Sequence, residues 1–196
     1  MNLDQQRARM CAGEWYNDLT DELVAARENT VRRTDEYNAS FGRASAEREM
    51  LLADLLEKIG RNVHFEPTFR CEFGFHISIG ENFYANFDCV MLDGGGITIG
   101  DNVLLGPRVS IYTTNHALRP ADRAAGWCIA RPVTLEDDVW IGGDVSINPG
   151  VTIGTGSVVG SGSVVTRSIP AGVIAAGVPA RVVRPITGAD GVPPGS

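Results

Sequence analysis

The chain has 196 residues, 43% of them hydrophobic and 21% charged, enough for one core with a small appendage. Its net charge of −7 argues against a nucleic-acid partner or an anionic membrane, both of which call for a basic surface. The N-terminal MNLDQQRARMCAGEW is polar, and no run of about eighteen apolar residues follows, so a soluble cytoplasmic protein is expected.

Residues 1 to about 62 read as a helical segment. Asp21 to Asn38 is rich in Glu, Ala, Leu and Arg and holds no Gly or Pro. Ala46 to Ile59 places Met50, Leu51, Leu55, Leu56 and Ile59 near helical spacing, with Ser45 as the expected N-cap and Gly60 as the stop.

The pattern then changes to a period of six, and most of the 23 glycines gather between Gly74 and Gly177. Leu135, Ile141, Ile147, Ile153, Val159 and Val165 fall at strict six-residue intervals. The frame recurs at Ile99, Leu105 and Ile111, and again at Ile79, Ala85 and Met91 after a two-residue slip around Gly94–Gly96. A period of six is a short strand and a turn, repeated, with one large aliphatic residue pointing inward per unit. Stacked units form a parallel β-helix over residues 63–180, interrupted by an excursion loop at about 112–132. VIAAGVPARVVRPI can add a final strand before an Arg-bearing C-terminal segment (181–196), whose tail TGADGVPPGS is expected to be disordered.

Four cysteines lack metal-type spacing. Cys11, Cys71, Cys89 and Cys128 are expected to be reduced thiols, although their even number leaves disulfides open. Cys89 holds an inward frame position and reads as core. His64 and His76 miss the repeat frame and do not converge with His116, so no metal site is expected.

Five motifs occur in one order: Asn82-Phe-Tyr-Ala-Asn-Phe87, Thr114-Asn-His116, Val139-Trp-Ile-Gly142, Ile147-Asn-Pro-Gly-Val-Thr-Ile-Gly154 and Ala176-Gly-Val-Pro-Ala-Arg181. Together with Ala12-Gly-Glu-Trp-Tyr-Asn-Asp18 they resemble the maltose/galactoside O-acetyltransferase family of hexapeptide-repeat acyltransferases, over nearly the whole chain. The resemblance implies a left-handed parallel β-helix, a homotrimer with active sites between subunits, and acetyl-CoA as co-substrate, with no metal.

The same resemblance makes His116 the catalytic base, a task suited to an imidazole with an ordinary pKa of about 6.5. It implies that Asn86 contacts the reacting groups, where its amide can steady an oxyanion, and that Trp140 lines the cleft. Gly143, Ser161, Thr166, Arg167, Arg181 and Arg184 are implied to hold CoA. From Ser161 onward three arginines face one acid, Asp190, a local excess of cations that suits phosphates. Asp18 and Asp93 fall in or beside the acceptor region. Gly94 stands where the family tends to carry an acid, and Glu72 where it often has a small hydroxyl residue, which leaves the acceptor open. No covalent-nucleophile arrangement is evident, so direct attack by a sugar-type hydroxyl is expected. Transfer to serine or an amine, or a non-catalytic binding scaffold, are the alternatives.

Overall fold

The protein is described by a computed structural model covering residues 1–192. Three helices open the chain: α1 (Leu3–Cys11), α2 (Asp21–Ala39) and α3 (Ser45–Leu55). A capping box closes α1, with the Asn2 side chain accepting from the Gln5 amide and the Gln5 side chain accepting from the Asn2 amide. Asn38 exchanges two hydrogen bonds with the backbone of Phe69, which docks α2 on the first coil of the solenoid. Arg48 of α3 reaches the same coil, donating to Tyr37 Oη at 2.8 Å and to the Phe65 carbonyl at 2.8 Å. Among the described residues no helix is long and apolar enough to cross a membrane.

The second helix expected from sequence, residues 46–59, is shorter than its apolar pattern. It spans Ser45–Leu55 and its N-cap is Ala44; the Ser45 hydroxyl donates to Glu49 at 3.3 Å instead of capping. Leu56 is already extended, and Lys58–Ile59 pairs in parallel with Ile77–Ile79. Leu55 and Leu56 are apolar because they plug the end of the solenoid, so their spacing extends the helical pattern past the point where the helix stops.

The remainder is a three-faced parallel solenoid. One face stacks Phe69–Cys71, Cys89–Leu92, Ser110–Tyr112, Ser146–Ile147 and Val164–Val165; the second stacks Lys58–Ile59, Ile77–Ile79, Ile97–Ile99, Val133–Leu135 and Thr152–Ile153. The third runs from His64–Phe65 through Tyr84–Ala85, Leu104–Leu105, Trp140–Ile141 and Val158–Val159 to Val173–Gly177, and closes with the antiparallel strand Ala180–Pro185.

Each inward residue stacks on the equivalent residue of the next coil. The ladders are Ile79–Ile99–Leu135–Ile153, Ala85–Leu105–Ile141–Val159–Ala175 and Met91–Ile111–Ile147–Val165, all buried. Every aliphatic frame position read from the sequence lies in one of them. The slip at Gly94–Gly96 is an insertion that makes its own coil twenty residues long, and the excursion lengthens one repeat to thirty-six. An earlier coil (Lys58–Ile59, His64–Phe65, Phe69–Cys71) escapes the hexad frame because its interior is aromatic: Phe65 and Phe69 are buried there, and Phe83 of the next coil packs on Phe65. The solenoid therefore begins at Lys58, upstream of residue 63.

One corner repeats a left-handed backbone at Asn62, Asn82, Asn102 and Asp138, with φ of 59°, 57°, 57° and 60°. Asn and Asp tolerate that region better than other side-chain-bearing residues. Their side chains stack: Asn62 Nδ2 donates to Asn82 at 2.9 Å, Asn82 to Asn102 at 3.0 Å, and Asn102 to Asp138 at 3.0 Å. In the next coil Gly156 (φ 68°) takes over.

The C-terminal tail begins ordered. Thr187 caps a 3-10 turn over Gly188–Asp190, and Asp190 pairs with Arg184, so disorder does not start at Thr187. Residues 193–196, the rest of the segment expected to be disordered, lie outside the described residues.

Candidate active site

The excursion is a small folded unit rather than an open loop. Thr114–His116 and Trp127–Ala130 form an antiparallel pair around helix α4 (Pro120–Ala124), and the N-terminal strand Tyr16–Asn17 adds to the outer edge of Trp127–Ala130. His116 faces Cys128 across one pair, and Tyr16 faces Cys128 across the other. Residues directly opposite in a sheet share a face, so Tyr16, Cys128 and His116 form one row.

His116 is exposed, while Cys128 and Tyr16 are buried. Cys128 Sγ lies 3.1 Å from His116 Nδ1. Burial first, then the charges of Asp18 and Glu72, push the Cys128 thiol up to about 12. Tyr16 Oη lies 3.3 Å from Thr114 Oγ1, and burial raises its pKa further above the usual tyrosine range. The other two imidazoles are differently placed. His76 is buried, its Nε2 at 3.4 Å from Cys11 Sγ, and His64 Nε2 stands 3.4 Å from Glu66.

Asp18 and Glu72 meet at Arg27. The guanidinium hydrogen-bonds the Asp18 carboxylate, donates to the Asp18 carbonyl at 2.6 Å and stands 3.6 Å from Glu72. Glu72 is pushed up to about 7, by burial above all, then by Asp18 and Asp93, with Arg27 opposing. One cation thus serves two carboxylates on the path of the Tyr16–Cys128 row.

Asp93 does not join them as an acceptor contact. It is fully buried, and its oxygens accept the amides of Phe73 at 2.8 Å and His76 at 3.2 Å, so it ties a corner of the solenoid. Gly94 beside it is also buried. A Cβ at Gly94 would meet Thr114 Oγ1 at 2.6 Å and Tyr16 Oη at 3.2 Å, so two hydroxyls fill the space that a side chain would need.

Asn86 follows the strand Tyr84–Ala85, and its carboxamide oxygen accepts the Phe87 amide at 2.8 Å. The oxygen is used in that turn, leaving Nδ2 as the donor that can serve a ligand. Trp140 is 53% exposed and sits between Leu104 and Val158 on the outer side of the third face, with Tyr84 and Ile174 in the same row. This face presents apolar side chains outward, whereas the second presents Ser78, Thr98, Thr134 and Thr152.

The residues expected to hold CoA fall on two neighbouring corners. Gly143 and Ser161 follow third-face strands, and the Gly162 amide donates to the Gly143 carbonyl at 2.8 Å. Thr166 and Arg167 follow the strand Val164–Val165 and are exposed. Arg181 is exposed and pairs in register with Ala176. Arg184 does not carry an uncompensated charge: both its Nη atoms donate to Asp190, at 2.8 and 2.6 Å. The local cationic excess expected from counting arginines therefore resides in Arg167 and Arg181. Tyr16, Arg27, Thr114 and Cys128 are site neighbours that the sequence did not mark, since the pairing of residue 16 with residue 128 spans most of the chain.

A parallel solenoid of hexapeptides is the architecture of the hexapeptide-repeat acetyltransferases. Two family models match the chain: the maltose acetyltransferase hexapeptide capping motif over residues 9–60 and the bacterial transferase hexapeptide (six repeats) over residues 132–167. The galactoside O-acetyltransferase of Escherichia coli K12 is 41% identical over 93% of this chain and 90% of its own length. The crystal structure of a maltose O-acetyltransferase from Clostridium difficile 630 superposes with a TM-score of 0.89 at 40% identity, covering 95% of this chain and 98% of that one. A hexapeptide-repeat acetyltransferase from Vibrio cholerae, solved with acetyl coenzyme A, gives 0.84 at 41% identity, covering 93% and 98%. The chain belongs to the maltose/galactoside O-acetyltransferase family. It is an acetyltransferase of that type.

Proposed function

We propose that the protein transfers an acetyl group from acetyl-CoA to a hydroxyl of a sugar-type acceptor, with His116 as the general base. The observation that carries this reading is the placement of His116. It is an exposed imidazole on the excursion sheet, its Nδ1 held by a buried neighbour and its Nε2 without a partner among the described residues. The relatives named for galactoside and maltose support a sugar, and the Vibrio cholerae structure supports acetyl-CoA.

In this mechanism the acceptor hydroxyl attacks the thioester carbonyl while Nε2 takes its proton, a contribution of about 10²–10⁴ in rate. The tetrahedral intermediate collapses, the carbon–sulfur bond breaks, and the imidazolium returns the proton to the CoA thiolate. Asn86 Nδ2 steadies the oxyanion. Gly143, Ser161 and Thr166 line the pantetheine groove, and Arg167 and Arg181, with a smaller share from Arg184, meet the phosphates. Asp18 and Glu72 orient the acceptor. The protein works as a homotrimer, with the apolar outer row of Leu104, Trp140 and Val158 facing a neighbouring copy.

A thiol-release assay with acetyl-CoA against sugars, amino alcohols and amines tests the reading. Release is expected with sugars, and release with amines alone would overturn it. His116→Ala is expected to lower transfer at least about a hundredfold with acetyl-CoA binding unchanged. An unchanged kcat would remove His116 from the mechanism.

A further inference from the structure

We propose that Cys128 is a positioning residue for His116, its sulfur accepting the Nδ1 proton and so leaving Nε2 free to act as the base. The inference rests on His116 being that base and adds what sets its tautomer.

Three observations converge on it. His116 and Cys128 are direct partners in the antiparallel pairing of Thr114–His116 with Trp127–Ala130, so the backbone fixes their side chains side by side. The Sγ···Nδ1 separation is 3.1 Å, and the chain offers the ring no other hydrogen bond among the described residues. Cys128 is fully buried and held from its other side by the pairing with Tyr16, whereas the imidazole is exposed. The sulfur is thus a fixed point against which a solvent-facing ring is held.

The chemistry then assigns donor and acceptor. A neutral imidazole carries one proton, and a ring that takes a proton at Nε2 must already hold one at Nδ1. Were the thiol to donate to Nδ1 instead, the ring proton would sit on Nε2 and the base would be blocked. The thiol keeps its own proton at working pH, because burial pushes it up to about 12. Facing a ring protonated on Nδ1, it accepts through a lone pair as a neutral group. A carboxylate in the same place would also stabilise the imidazolium; a thiol orients the ring and leaves the proton easy to pass to the departing CoA sulfur.

The test pairs two substitutions with two readouts. Cys128→Val keeps the bulk and removes the acceptor; Cys128→Ser supplies a hydroxyl that accepts. Nitrogen-15 NMR of His116 in the free protein is expected to show the proton on Nδ1 in the wild type and the Ser variant, and on Nε2 in the Val variant. With acetyl-CoA and the better of maltose or methyl β-galactoside, Cys128→Val is expected to lose about 10–100-fold in kcat, with the acetyl-CoA KM unchanged. Cys128→Ser is expected to recover most of it. A wild-type ring protonated on Nε2, or a Val variant with wild-type tautomer and kcat, would overturn the proposal. Should the Val variant fail to fold, the wild-type and Ser spectra decide. His116→Ala with full activity would instead defeat the base assignment, and it is read separately from the tautomer.

Discussion

Replacing Glu72 by Gln isolates the electrostatics of the acidic cluster around Arg27. The Glu72 side chain is 13% exposed and shares Arg27 with Asp18. Burial and the neighbouring carboxylates raise its pKa from 4.5 to about 7. In the unfolded chain the same group titrates near 4.5, so between these values the folded state binds more protons. Stability therefore falls as pH rises from about 4.5 to about 7, and the full penalty is present above that. At about 1.4 kcal/mol per pH unit of separation the penalty is about 3 kcal/mol, a net figure in which the Arg27 attraction already offsets part of the burial cost. Glu72→Gln should therefore be the more stable protein at pH 8, with a Tm about 5–10 °C higher for a chain of this length, and the gap should close towards pH 5. Scanning calorimetry from pH 5 to 8.5 measures it. A gap that does not vary with pH, or a less stable Gln variant at pH 8, would refute the reasoning.

Three further outcomes follow from the same geometry. Arg181→Ala should weaken acetyl-CoA binding more than Arg184→Ala, because Asp190 already neutralises Arg184, and the Arg181 effect should shrink at high salt; titration calorimetry at two ionic strengths checks both. Ile147→Ala removes a rung between Ile111 and Val165 and should cost about 2–5 kcal/mol, read by denaturant unfolding. Arg48→Met keeps the apolar stem but loses the bonds to Tyr37 and Phe65, and should cost about 1–3 kcal/mol in urea unfolding.

The solenoid is legible in the sequence where its interior is aliphatic, because each inward position demands a branched side chain at a fixed interval. Ile141 and Val159 show this, and they stack as the frame requires. The signal fails at Phe65 and Phe69, where aromatic rings fill the end beneath the helices, and at Leu55 and Leu56, whose burial against the coil imitates a longer helix. His116 is readable from its motif. Cys128 is not, because its contact with His116 exists only once two strands of the excursion pair. Asp93 looks like a ligand contact in sequence, yet three-dimensional burial assigns it to backbone amides. The arginine count misleads for a simpler reason: Asp190 lies six residues from Arg184 and folds back on it.

The stacked asparagines at the left-handed corner have a polarity. Every amide in the series points its nitrogen towards the C-terminal end of the solenoid, and the series stops at Asp138, which accepts without needing to donate onward. One carboxylate therefore dictates which way three carboxamides face. Exchanging Asp138 for a residue that cannot accept would release the whole string, so a change in the fourth coil of the molecule would be felt at Asn62, in the first.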